Sequence, residues 1–280
     1  VLVLDDQFEE AIALLEGQAD RNYRDETFLA ISYLSRETHS DDLLALDAAC
    51  RAFELSNDDE QRAGALAAIG KCQKRVGQVE QAKSTLQRAL TYDPHNKDAC
   101  KRLAAIMLDE GDADAVLEWT DSLQALGVDH ARLFGARVLG FARNGDIESS
   151  RSAEGFQSLH RTQQLEPPPG WSSIEEFNTA LAVELLNHPA MRYDRYGSAS
   201  ESTWRIENPS RPDTPLLKAL IAQIMKSLSA HISALAGHDH PWTSASPKKA
   251  FLRNWCVITE STGFEAWHVH QFGWLSGVYY

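Results

Sequence analysis

Cysteine is scarce in this chain and never placed at metal-binding spacing: Cys50, Cys72, Cys100 and Cys256 include no Cys-x-x-Cys pair. That pattern excludes a disulfide framework and a structural zinc site. Three of the four fall on helical segments at small-residue positions, where a thiol serves as a small hydrophobe. A reducing compartment follows, and a cytoplasmic location is expected. No apolar run approaches the roughly 20 residues that cross a bilayer, so no membrane partner is expected. The opening VLVLDDQFEE lacks the basic region and apolar core of a secretory signal. Also missing are a phosphate-binding glycine loop, a Gly-x-Ser-x-Gly elbow and a His-Glu-x-x-His helix, which removes the reactions built on them.

Positive charge is short as well. Against 40 Asp and Glu stand 27 Lys and Arg, a net of −13, and the deficit is uneven. Residues 1–150 carry 28 acidic and 16 basic side chains, whereas residues 151–280 carry 12 and 11. A nucleic-acid partner needs Lys and Arg to displace counterions, so none is expected. Basic peptides or proteins suit an acidic half better.

What is present is a period. Gly77, Gly111 and Gly145 are each 34 residues apart and open similar text, GQVEQA, GDADAV and GDIESS. Residues 63–96 resemble the tetratricopeptide helix-turn-helix pattern, with Leu66, Ile69, Gly70, Gly77, Ala82, Leu86, Ala89 and Pro94 at its signature positions and Gln73 where an aromatic is usual. Small Gly70 and Ala82 let the two helices approach, Gly77 turns the chain, and Pro94 stops the second helix before Asn96 starts the next unit. Upstream, Ala11 and Ala45 repeat the second-helix pattern 34 residues apart. About four units are expected over residues 1–156, the first partial and the later ones degenerate. Such an array offers a concave surface for a protein or peptide, or serves as a spacer or dimerisation arm. No basic clamp for a C-terminal carboxylate stands out.

Composition changes after Glu166: nine of ten prolines and six of seven tryptophans lie beyond it. Pro167, Pro168, Pro169 and Gly170 make residues 157–170 a stiff linker. In the second domain, 171–280, IEEFNTALAVELLNH reads as a helix with a capping-box start at Ser172 or Ser173. A mostly looped stretch from Met191 to Pro215 follows. Thr214 then caps a helix with Pro215 at its first position and Gly237 just past its end. Phe251–Thr259, Phe264–His270 and Leu275–Tyr280 are predicted strands. Helices followed by strands is an α+β order.

The last thirteen residues, HVHQFGWLSGVYY, would place His268 and His270 on one face of a strand, where one metal ion could meet both. His-x-His followed by Leu-Ser-Gly-Val-Tyr-Tyr resembles the start of the double-stranded β-helix in a 2-oxoglutarate and iron(II)-dependent oxygenase family, and the resemblance reaches back to about Trp171. It implies a first part of a jelly-roll or cupin-like domain with buttressing helices, and iron(II) and 2-oxoglutarate as cofactors. His268 and His270 would be metal ligands, or His268 the ligand and His270 its support or a substrate contact. Ser276, Tyr279 and Tyr280 would lie where the cofactor binds. The superfamily has a carboxylate where this chain has His270, and without the resemblance a His-x-His pair reads as an ordinary surface or hydrogen-bonded pair. Glu260 and Glu265 lack the ligand spacing, and His238, Asp239 and His240 read as a solvated loop. Tyr280 ends an apolar run without cap or polar tail and position 1 is not Met, so the chain is read as part of a longer protein whose remaining site residues lie beyond Tyr280.

Two functions follow as expectations. The first is an oxygenase that hydroxylates a protein or peptide side chain recruited by the repeats. The alternative is a non-catalytic tetratricopeptide scaffold whose second domain keeps a degenerate oxygenase fold.

Overall fold

The computed structural model of the chain describes residues 7–36, 39–128, 130–193, 199–210, 213–266, 270 and 273–280. It divides into two compact units. One runs from the N-terminus to Glu154 and also takes in the C-terminal residues, and the other begins at Gly155.

The first unit is helical. After α1 (Phe8–Glu16) come four helical pairs: α2 (Tyr23–Ser35) with α3 (His39–Glu54), α4 (Asp59–Arg75) with α5 (Val79–Tyr92), α6 (Lys97–Asp109) with α7 (Ala113–Ala125), and α8 (Ala131–Arg143) with α9 (Ile147–Glu154). The 34-residue glycines turn the last three pairs. Gly77, Gly111 and Gly145 have φ of 84°, 81° and 76°, a left-handed backbone that a Cβ disfavours. At Gly77 the amide donates to the Lys74 carbonyl at 3.2 Å and the Gln78 amide reaches the Gln73 carbonyl at 2.8 Å, a Schellman closure that satisfies carbonyls orphaned at the helix end. Asp112 and Asp146 repeat it by donating to Met107 and Phe141. The first helices start on side-chain caps: Asp58 accepts from the Gln61 amide at 2.8 Å and Asn96 from Ala99 at 2.9 Å.

Small residues decide how closely a pair packs. Ala63, Ala82 and Ala89 are fully buried, and a Cβ on Gly70 would come within 2.6 Å of Leu86 Cγ. That approach joins α4 to α5 around Leu86, which is 0% exposed. One core runs through the unit from Ile12 to Ala136, with Cys72 and Cys100 inside it. Burial pushes both thiols up to about 12, as expected of packing residues rather than reactive ones.

His130 caps α8 in an unusual way. Its Nδ1 accepts from the Leu133 amide at 3.3 Å, and its Nε2 is buried with no hydrogen-bond partner among the described residues. Burial, then the charges of Lys97 and Arg132, push its pKa from 6.5 down to about 4. Protonation would remove the capping acceptor and place a charge in the core. Between pH 6.5 and about 4 the unfolded chain holds a proton that the folded chain refuses, so stability is complete above that window and falls as pH falls through it. The expected loss across it is about 3 kcal/mol. Urea unfolding at pH 7 and pH 5 checks this, because His130→Asn keeps a capping oxygen without the titration and should flatten the difference. An unchanged pH dependence in that variant would refute the assignment.

The second unit packs α11 (Ile174–Leu186) and α12 (Pro215–Ala234) with a small sheet, together with short α10 (Phe156–Leu159) and α13 (Pro241–Ser244). Ser173 caps α11 by accepting from Glu176 at 3.1 Å. Phe177, 0% exposed, meets the Trp171 ring edge-on at 5.5 Å. Thr214 does not cap α12: its hydroxyl donates to the Pro209 carbonyl. The cap comes from α11, where the Glu184 carboxylate accepts the Leu216 and Leu217 amides at 3.1 and 2.9 Å. A carboxylate suits the positive end of a helix dipole.

The sheet overturns the expected barrel. Its strands β1 (Met191–Tyr193), β2 (Ser200–Glu207) and β3 (Trp255–Glu265) pair antiparallel in that order and leave an open edge. A bulge between Glu201 and Thr203 interrupts the β2–β3 register, and Gly263 is required opposite it, since a Cβ there would lie 2.4 Å from the Ser202 carbonyl oxygen. The predicted strand at 251–259 starts only at Trp255 and runs on as the single β3 to Glu265, opposite Ser200 at the start of β2; of the predicted strand 264–270, residues 267–269 lie outside the described residues. Leu275–Tyr280 forms no strand, and Val278 and Tyr280 are 71% and 100% exposed. Without a neighbouring strand to take its backbone groups, an apolar run does not make sheet. Among the described residues there is no closed double-stranded β-helix.

Candidate functional site

Among the described residues no metal centre assembles. His268 lies outside the described residues, and His270 is half-buried but not on a strand. Ser276 and Tyr280 are exposed and Tyr279 half-buried, on a terminal stretch without secondary structure. Among the described residues no group of three or more His, Cys, Asp or Glu could hold a metal ion. The carboxylates nearest in sequence serve the sheet: Glu260 accepts from Trp204 Nε1 at 3.3 Å, and Glu265 pairs with Ser200 and Arg205. His240 caps α13, accepting from the Trp242 amide at 3.0 Å, and His231 Nε2 sits 2.9 Å from the Leu159 carbonyl oxygen. The expectation of iron(II), 2-oxoglutarate and an oxygenase reaction is therefore corrected. Among the described residues there is neither a barrel nor a ligand set to support it.

The first unit presents a different site. Successive first helices pack on one another, α2 on α4, α4 on α6 and α6 on α8, whereas the successive second helices make no comparable contact. The stack therefore curves toward its first helices. Charge is divided along the same line. Helices α2, α4, α6 and α8 carry 11 basic and six acidic residues, a net of +5; α1, α3, α5, α7 and α9 carry four basic and 13 acidic residues, a net of −9. The acidic surplus of this half comes from its second helices and from the segments between helices.

Between α4 and α6 the first-helix face opens into a groove of about 340 Å³. Gly70, Leu86, Ala105 and Ile106 form its apolar floor, and Lys71, Lys74, Arg75, Lys101 and Arg102 surround it without a carboxylate in the lining. Three of these cations are paired outward: Lys74 with Asp109 at 2.9 Å, Arg75 with Asp42 at 2.7 Å, and Arg102 with Asp98 at 2.9 Å. Asp98 also serves Arg132 at 3.1 Å. Burial alone would raise its pKa, but Arg102 and Arg132 together hold it below the ordinary carboxylate value. Lys71 and Lys101 have no ion pair among the described residues. Both lysines titrate below their ordinary value, Lys71 through burial and then Arg102, Lys101 through burial and then Arg132.

The first unit is thus a helical repeat array of the tetratricopeptide kind. Residues 54–137 match the tetratricopeptide repeat family model. A solved structure titled MamA AMB-1 is similar at 15% identity, over 57% of this chain and 88% of that one, with a TM-score of 0.43. No curated protein matches the chain.

The sequence reading missed this groove, although its residues were visible. Lys71, Lys74 and Arg75 end one first helix, and Lys101 and Arg102 lie within the next. Assigning charge to first and second helices separately would have exposed the pattern that the net value of −13 conceals.

Proposed function

We propose that this protein is a binding scaffold: its repeat array holds a segment of a partner protein on the face made by α2, α4, α6 and α8. The observation that carries this reading is the consecutive packing of those four helices, which produces one continuous lined surface rather than isolated pockets. Repeat stacks use such surfaces for extended partners because neighbouring units supply contacts at regular intervals. The openness of the sheet, and the lack of a metal-ligand group among the described residues, favour a scaffold over an oxygenase reaction.

A displayed-peptide selection on the full chain, followed by hydrogen–deuterium exchange with the selected peptides, tests it. Protection should fall on α4, α6 and α8 and spare α5 and α7. Failure to select any peptide, or protection confined to the second helices, would overturn the reading.

A further inference from the structure

Charge in the array is arranged against its average. A half with 28 acidic and 16 basic residues has every reason to keep its cations near carboxylates, and ten of the 16 form ion pairs among the described residues. Arg51 reaches Glu26 at 3.0 Å, and Lys83 pairs with Glu110 on the next unit. In the groove between α4 and α6 that compensation is incomplete. Its lining holds five cations and no acid, and of these Lys71 and Lys101 remain without an ion pair among the described residues. Like charges brought together around an apolar floor repel one another, and the low-dielectric wall strengthens that repulsion. An anion seated there would relieve it.

We propose that this groove binds an acidic segment of the partner protein, with Asp or Glu side chains of that segment on Lys71 and Lys101 and its aliphatic portions over Ala105. The inference rests on the scaffold reading and gives its partner a chemical class, opposite to the basic partner that net charge suggested. A peptide fits better than a nucleic acid for two reasons. The positive face is flanked by second helices of net −9, which repel a long polyanion. Ala105, the half-buried part of the floor beside buried Gly70, Leu86 and Ile106, also offers apolar contact that a phosphate backbone does not use. Lys74, Arg75 and Arg102, each already paired, hold the positive potential of the rim.

Fluorescence anisotropy with the full chain tests the proposal. The probe is a labelled Glu-rich peptide, acetylated and amidated so that it carries no terminal carboxylate, compared with its Gln isostere. The Glu-rich peptide is expected to bind, the isostere to bind roughly tenfold or more weakly, and added salt to weaken the first far more than the second. Lys71→Ala with Lys101→Ala should lower affinity for the Glu-rich peptide by roughly tenfold or more. Lys226→Ala with Lys248→Ala makes the same change of charge on exposed residues of the second unit and should leave binding within about twofold. Far-UV circular dichroism verifies that both double variants are folded. Equal losses in the two variants, or no binding by the Glu-rich peptide, would overturn the proposal. Tighter binding by a single-stranded oligonucleotide would overturn it in favour of nucleic acid. If displayed peptides protect the first helices but are neutral or basic, the acidic class fails while the scaffold stands; if none is selected, the scaffold itself fails.

Discussion

Leu86→Ala is expected to destabilise the repeat array by about 2–5 kcal/mol. Leu86 is 0% exposed and fills the space left by the missing side chain of Gly70, where a Cβ would lie 2.6 Å from its Cγ. Truncation leaves a cavity that the two helices cannot close by moving together, because buried Ala82 and Ala89 already hold α5 at short range. The same side chain contributes to the floor of the α4–α6 groove, so its loss loosens the joint between units as well as within one. In a stack whose units depend on their neighbours, the result should be a lower midpoint for the whole array rather than a separately melting helix. Urea denaturation followed by far-UV circular dichroism reads this directly. Leu126, 67% exposed, is the control, and Leu126→Ala should stay within about 0.5 kcal/mol of the parent. A loss below about 1 kcal/mol for Leu86→Ala would show that α4 and α5 are not joined as described.

Phe177→Ala should have a comparable effect on the second unit, about 3–5 kcal/mol. Phe177 is fully buried, and the edge-on contact with Trp171 at 5.5 Å adds to its area burial. The consequence extends beyond the cavity. Phe177 anchors the helix that carries Glu184, and Glu184 supplies both hydrogen bonds that cap the start of α12. Displacing α11 therefore withdraws a charged acceptor from a second helix. Five of the seven tryptophans fall within residues 155–268, so intrinsic fluorescence reports mainly on this unit. The fluorescence transition should move to lower urea. An unshifted fluorescence midpoint would contradict the packing of α11.

Much of the array was legible because its determinants are local. Gly77, Gly111 and Gly145 sit where a left-handed residue must end each first helix, and their spacing alone reveals the unit length. The C-terminal stretch misled for the opposite reason. The apolar LSGVYY text has the alternation and β-branched content of a strand, but a strand exists only if another strand accepts its hydrogen bonds. Thr214 shows the same limit on a smaller scale. It occupies a helix-cap position next to Pro215, yet the cap is provided by Glu184, 30 residues earlier in sequence.

By itself the sequence determined the helical repeat, its period, its small-residue contacts and the acidic balance of the first half. These follow from steric and capping preferences that act within a few residues. Tertiary structure alone decided that the sheet stays open and that no metal ligands gather among the described residues. It also sorted the charges into a positive first-helix face and negative second helices, with Lys71 and Lys101 beside one groove. Those outcomes depend on which segments meet in space, where strand pairing and charge compensation join residues that sequence order keeps apart.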